Sequence, residues 1–176
     1  YLATDREAPA GRTVKIGAAD LLNFGTCGYM ALERDERLKR GVIDAVERFG
    51  TQFSVSRTYL SSGLNQELEE AISAMYGGLP VIVYSSTSAC HVSVIPALVR
   101  EGDAVILDQQ VHFSVQTATQ LVRQRGVPVE MIRHGKLEML ERKLVDLRNK
   151  HRRIWYMIDG VYSMYGDVAP IHELVA

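Results

Sequence analysis

Four short runs rich in β-branched and aromatic residues recur from residue 81 onward at a nearly constant interval, and no other feature limits the fold so tightly. They are VIVY at 81–84, AVIL at 104–107, VEMIR at 129–133 and IWYMI at 154–158, and their starts lie 23, 25 and 25 residues apart. Each has the length and composition of a buried strand. The segments between them carry helical periodicity. The clearest repeat is Leu137, Leu140, Leu144 and Leu147, followed by Lys150, His151, Arg152 and Arg153, whose charge suits a helix C-terminus. Strands alternating with amphipathic helices predict an α/β chain in three layers (αβα), with a mostly parallel sheet covered on both faces and joined by right-handed crossovers.

Two further helices are predicted ahead of the first run. One buries Leu38, Val42, Ala45, Val46 and Phe49 and stops at Gly50. The other buries Leu68, Ala71, Ile72 and Met75, carries Glu67, Glu69 and Glu70 in its first turn, and stops at Gly77-Gly78. Pro96 falls inside the helix after VIVY and is expected to kink it. The residues before the first helix form an arm that needs something else to pack on. An apolar content of 47% with 23% charged residues is that of a globular domain. Twenty basic against 21 acidic residues leave a charge of −1, without the positive footprint that nucleic acid or an anionic membrane requires. No stretch approaches the roughly 20 apolar residues of a membrane span, and YLATDREAPAGR has no apolar signal core, so a cytoplasmic protein is expected. Cys27 and Cys90 fit neither a disulfide framework nor a metal pattern, and the histidines lack zinc-ligand spacing. The chain opens on Tyr1 rather than Met and stops at HELVA without a closing glycine, so both ends are expected to be artificial.

In an open α/β sheet, ligands bind beyond the carboxyl ends of the strands, where helix N-termini and loop groups converge. The polar residues follow that rule. Ser85-Ser86-Thr87-Ser88 follows the first run, Asp108, His112 and Ser114 the second, His134 the third, and Asp159, Tyr162 and Ser163 the fourth. The SSTS turn is either a phosphate cradle, since the first amides of a helix are unpaired and partly positive, or an ordinary N-cap. Neither GxxxxGK nor GxGxxG is present, which argues against a nucleoside triphosphate or NAD. His112 is placed to lie over a planar ligand or to move a proton, or else is only a helix cap. His91, His151 and His172 read as structural.

DGVYSMYGDVAPIHEL at 159–174 resembles EGVYSMDGDxAPLxEL, a signature of the pyridoxal-phosphate α-oxoamine synthases. DQQVHFS at 108–114 is similar to that family's D-x-x-x-H-A-S, YSSTSACHVSVIPALV at 84–99 to S-G-Y-x-A-N, and CGYMAL at 27–32 to N-Y-L-G-L. All four occur in the family's order. The resemblance implies the N-terminal part of a fold type I (aminotransferase class I/II) large domain. Residues 1–48 would form an N-terminal arm and first helix, and residues 49–176 the first part of the cofactor-binding domain, with the remainder and a C-terminal domain absent. It implies pyridoxal 5′-phosphate (PLP) as cofactor, with His112 stacked on its ring, the Thr87 and Ser88 amides on its phosphate, Ser163 near its phenolic oxygen, and Asp159 among the cofactor contacts. FGTQFSVSRTYLSSG at 49–63 looks like a glycine-rich loop that serves a site shared in a homodimer, making Arg57 a substrate contact or an exposed loop arginine.

The implied activity is acyl transfer: an amino acid condenses with an acyl thioester, on coenzyme A or a carrier protein, and loses carbon dioxide to give an α-aminoketone. Aminotransfer on the same fold and a non-catalytic subunit of a heterodimeric synthase are the alternatives. Asp159 replaces the family's Glu, Tyr165 the Asp of SMDGD, Gly28 the Asn of NYLGL, and Asn65 a His. These departures bear on the substrate pocket more than on the cofactor seat. The Schiff-base lysine and the Asp that pairs with the ring nitrogen have no counterpart here, and Lys15, Lys39, Lys136, Lys143 and Lys150 lie in the arm or on charged helix faces, so the chain alone is expected to be inactive.

Overall fold

The computed structural model describes residues 12–52 and 56–175. Expectations that fall on residues 1–11 of the arm, on Phe53, Ser54 and Val55 of the loop at 49–63, and on Ala176 lie outside the described residues. The chain divides into two compact units, Tyr1–Gln66 and Glu67–Ala176. No described helix is long and apolar enough to cross a membrane.

The second unit holds the sheet. Three of the four expected strands form: β3 (Ala104–Asp108), β4 (Val129–Ile132) and β5 (Ile154–Met157), all parallel in the order β4-β3-β5. The central strand is buried along its whole length. Its side chains alternate between two cores, as the period of two along a strand demands. Val105 and Leu107 pack with Ile95 and Val99 of α3 (Thr87–Leu98) and its C-cap, and with Val115, Ala118 and Val122 of α4 (Phe113–Arg123). Ala104 and Ile106 pack on the other face with Leu140 and Leu147 of α5 (Leu137–Leu147) and Leu174 of α6 (Ile171–Val175). The crossover through α4 runs from β3 to β4, and that through α5 runs back past β3 to β5. A reversal of direction with one crossover hand moves the helix to the opposite face, which is where α5 sits. The carboxyl ends of β3 and β5 are therefore the topological switch point.

The fourth expected strand, Val81–Tyr84, joins no ladder among the described residues. A strand exists only by pairing, and the central β3 is already flanked on both sides. The Val83 amide donates instead to the Glu69 carboxylate at 2.8 Å. That contact also corrects the placement of the glutamates. Helix α2 (Gly63–Met75) starts four residues earlier than Glu67, so Glu67, Glu69 and Glu70 stand beyond its first turn. It ends as expected at Gly77 and Gly78, both at positive φ, where the Gly78 amide closes on the Ser73 carbonyl at 2.8 Å. The expected burial does not occur. Leu68 is 47% and Met75 81% exposed, and Ala71 is exposed too, because nothing in the described chain covers that face. Pro96 lies inside α3, which ends two residues later.

The first unit contains an antiparallel hairpin that the sequence reading did not anticipate, β1 (Thr13–Ile16) with β2 (Ala19–Leu22), turning at Gly17 with φ 59°. Helix α1 (Glu36–Phe49) forms where expected, capped by the Asp35 carboxylate on the Arg37 amide at 2.9 Å and ended by Gly50. Its apolar face is the correction: Leu38, Val42, Val46 and Phe49 are all exposed, and no described residue of this unit is buried.

Candidate functional site

The site is built where β3 and β5 end. Helix α3 opens with Ser86 as its N-cap, whose hydroxyl accepts from the Ala89 amide at 3.1 Å. The capping role foreseen for the SSTS turn is thus filled by Ser86. Among the described residues nothing accepts from the Thr87 or Ser88 amides, and both residues are exposed. Helix α4 opens with His112 as N-cap, its Nδ1 accepting from the Ser114 amide at 3.2 Å. The imidazole is thus a cap, and it remains exposed as well. The His112 amide donates to the Asp159 carboxylate at 2.8 Å, which ties the loop after β3 to the loop after β5 across the switch point.

One contact joins the two helix starts. His91 Nδ1 lies 2.8 Å from Ser114 Oγ, and Ser114 Oγ lies 2.7 Å from His112 Nδ1. His91 follows Thr87 by four positions and Ser88 by three, so it stands on their face one turn further along α3. The open amides and His112 are therefore gathered at one end of the sheet, on the same side. Ser163 is exposed in the turn between Val161 and Val168, and no hydrogen bond joins it to this group among the described residues. Arg57 belongs to the other unit.

A second cluster stiffens the same rim. Asp108, fully buried at the end of β3, accepts from the Gln110 and Gly135 amides at 2.8 and 3.0 Å and faces His134 Nδ1 at 2.8 Å. His134 Nε2 faces Asp167 at 2.7 Å. The hydrogen bond to Asp108 first, then that to Asp167, holds the His134 imidazolium above its ordinary range against the opposing effect of burial. Tyr162 meets His134 edge-on at 4.4 Å, and Tyr165 stacks on it at 5.7 Å and 14°. The tyrosine that departs from the SMDGD pattern is thus a cover over His134. Burial, with the Asp108 carboxylate nearby, pushes the Tyr156 hydroxyl up to about 12 and Tyr162 higher still. Sequence reasoning placed His134 at the strand ends without a role and read His91 as structural. The spacing of His91 from Thr87 and Ser88 was the available signal; the convergence of Asp108, His134 and Asp167 is long-range and had none.

No family model matches the chain. It is 31% identical to the 8-amino-7-oxononanoate synthase of Thermoanaerobacter pseudethanolicus over 170 residues, 96% of this chain and 42% of that protein. The same identity holds over 161 residues, 91% of this chain and 40% of the relative, with the enzyme of that name from Symbiobacterium thermophilum. Serine palmitoyltransferase from S. paucimobilis, solved with PLP joined to myriocin, superposes with a TM-score of 0.84 at 28% identity over 99% of this chain and 42% of that one. The chain is a homologue of the α-oxoamine synthases. The resemblance drawn from the four motifs is borne out, and so is the α/β fold, as a fragment of the large domain. This α-oxoamine synthase homologue spans about two fifths of the length of the relatives it matches.

Proposed function

We propose that this chain supplies the phosphate and ring seats of a PLP-dependent acyltransferase that condenses an amino acid with an acyl thioester, with loss of carbon dioxide, to an α-aminoketone. The observation that carries the reading is the pair of open amides at the start of α3, one helical turn from the His91, Ser114 and His112 cluster. Unpartnered amides at a helix start fit a phosphate dianion, and an exposed imidazole at the switch point fits a planar ring. When bound, the cofactor supplies an electron sink for the carbanion that attacks the thioester.

The chain's own residues do the rest of what is proposed. The Thr87 and Ser88 amides hold the phosphate, and α3 adds its partial positive charge. His112 covers the ring, anchored by its amide on Asp159 and its Nδ1 on Ser114. Asp159, shorter by one methylene than the Glu of the family pattern, is engaged with that amide and so orients the stacking residue. Ser163 serves the phenolic oxygen and Arg57 the substrate. The lysine and the carboxylate for the ring nitrogen would come from the remainder of the large domain, so the chain alone would not catalyse. A cytoplasmic homodimer with a shared site is proposed with it. The uncovered apolar faces of α1 and α2 support a partner surface.

The test uses the full-length protein. Expected results are PLP fixed to a lysine by borohydride, and carbon dioxide released from a carboxyl-labelled amino acid only when an acyl thioester is present. Amino-group transfer to a keto acid without that release would favour an aminotransferase. A full-length chain lacking the lysine, purified in complex with a lysine-bearing paralogue, would favour a non-catalytic subunit.

A further inference from the structure

The Ser114 hydroxyl touches two imidazoles and has one proton to give. Its oxygen lies 2.8 Å from His91 Nδ1 and 2.7 Å from His112 Nδ1, and Ser114 is only 6% exposed, so little water reaches the bond. The backbone sets the direction. The Ser114 amide lies 3.2 Å from His112 Nδ1, and an amide N–H can only donate, so His112 Nδ1 is an acceptor and carries no proton. A hydroxyl facing that lone pair donates to it as well. The oxygen then has only lone pairs left for His91, whose Nδ1 must carry the hydrogen.

We propose that His91 is a positioning residue, which through the Ser114 hydroxyl holds the neutral His112 ring in the tautomer with its proton on Nε2. The sequence supports this independently. When the S-G-Y-x-A-N pattern is laid on Ser86 to His91, its asparagine falls on His91, and a carboxamide nitrogen is also a donor. The residue changes while the donor stays. The direction of the hydrogen bonds stands without a cofactor. What the tautomer does for a bound ring rests on the function proposed above: any proton that His112 exchanges passes through Nε2, and its cap on α4 is kept.

The test is a long-range proton–nitrogen correlation spectrum of the 15N-labelled chain at pH 8, which distinguishes pyrrole-like from pyridine-like imidazole nitrogens. In the wild type, His112 should show protonated Nε2 and bare Nδ1, and His91 the opposite. His91→Asn should preserve the His112 pattern. His91→Leu should lower the ratio of the two His112 tautomers about tenfold, the equivalent of one hydrogen bond. Ser114→Ala should do the same and replaces it should His91→Leu fail to fold. A wild-type His112 with its proton on Nδ1, or a ratio indifferent to both variants, overturns the proposal. PLP titration of the full-length protein by absorbance keeps the two readings apart. Absent cofactor binding there, with the His112 pattern intact, sinks the proposed function and leaves this inference standing.

Discussion

His134 shows how much one side chain can hold. It bridges the buried Asp108 carboxylate at the end of β3 to Asp167, in the turn after β5. Its pKa is raised in the folded chain, so the folded state binds a proton that the unfolded state releases near pH 6.5. The stabilisation is therefore complete below that pH and is lost as pH rises through the folded value. Urea unfolding from pH 5 to pH 9 should show the wild type losing stability on the alkaline side, and His134→Gln should flatten that slope. At the other end of β3, Asp103 is fully buried. Burial raises its pKa, yet the Arg100 amide, the Trp155 indole and Arg152 together outweigh that and hold the carboxyl below its usual range. Trp155→Phe removes one charge-assisted hydrogen bond and should cost about 1.5–3 kcal/mol in the same assay. At this scale the sequence was half legible. His112, Thr87 and Ser88 announced themselves by lying just after strand-like runs. Tyr165 did not, because its partner His134 is 31 residues away and no local pattern encodes such a meeting, and His91 offered only its helical spacing from Thr87 and Ser88.

Among the elements, those legible in advance are the ones whose burial is settled within the chain. Strands β3, β4 and β5 and helices α4 and α5 carry both their periodicity and the neighbours that bury it. Ile106→Ala, in the middle of the central strand, should cost about 2–5 kcal/mol by chemical denaturation. Val145→Ala, on the 52% exposed side of α5, should stay within about 0.5 kcal/mol. Val81–Tyr84 has the composition of a strand and lacks the ladder, since composition specifies a tendency and pairing is supplied by another segment. The hairpin β1–β2 was missed for the opposite reason: four residues on each side of Gly17 are too few to show a period.

On the scale of the whole molecule, the two units differ in how much they bury. The second has two cores on the faces of one sheet, whereas the first has no buried residue among those described. Full burial of a valine or leucine contributes roughly 1.5–3 kcal/mol, so the stripe Leu38, Val42, Val46 and Phe49 holds considerable binding energy that the described chain does not use. Val42→Glu with Val46→Glu should leave the unfolding midpoint of this chain nearly unchanged and, on the homodimer proposed above, reduce self-association of the full-length protein in sedimentation equilibrium.

The unladdered stretch at 81–84 has its own outcome in a test tube. A β-branched run that joins no sheet among the described residues, with Ile82 68% exposed, is a template for other copies of itself. Concentrated solutions of the chain should accumulate cross-β aggregates that stain with thioflavin T. A single gatekeeper charge, Ile82→Lys, should delay their onset severalfold while leaving the far-ultraviolet circular dichroism unaltered.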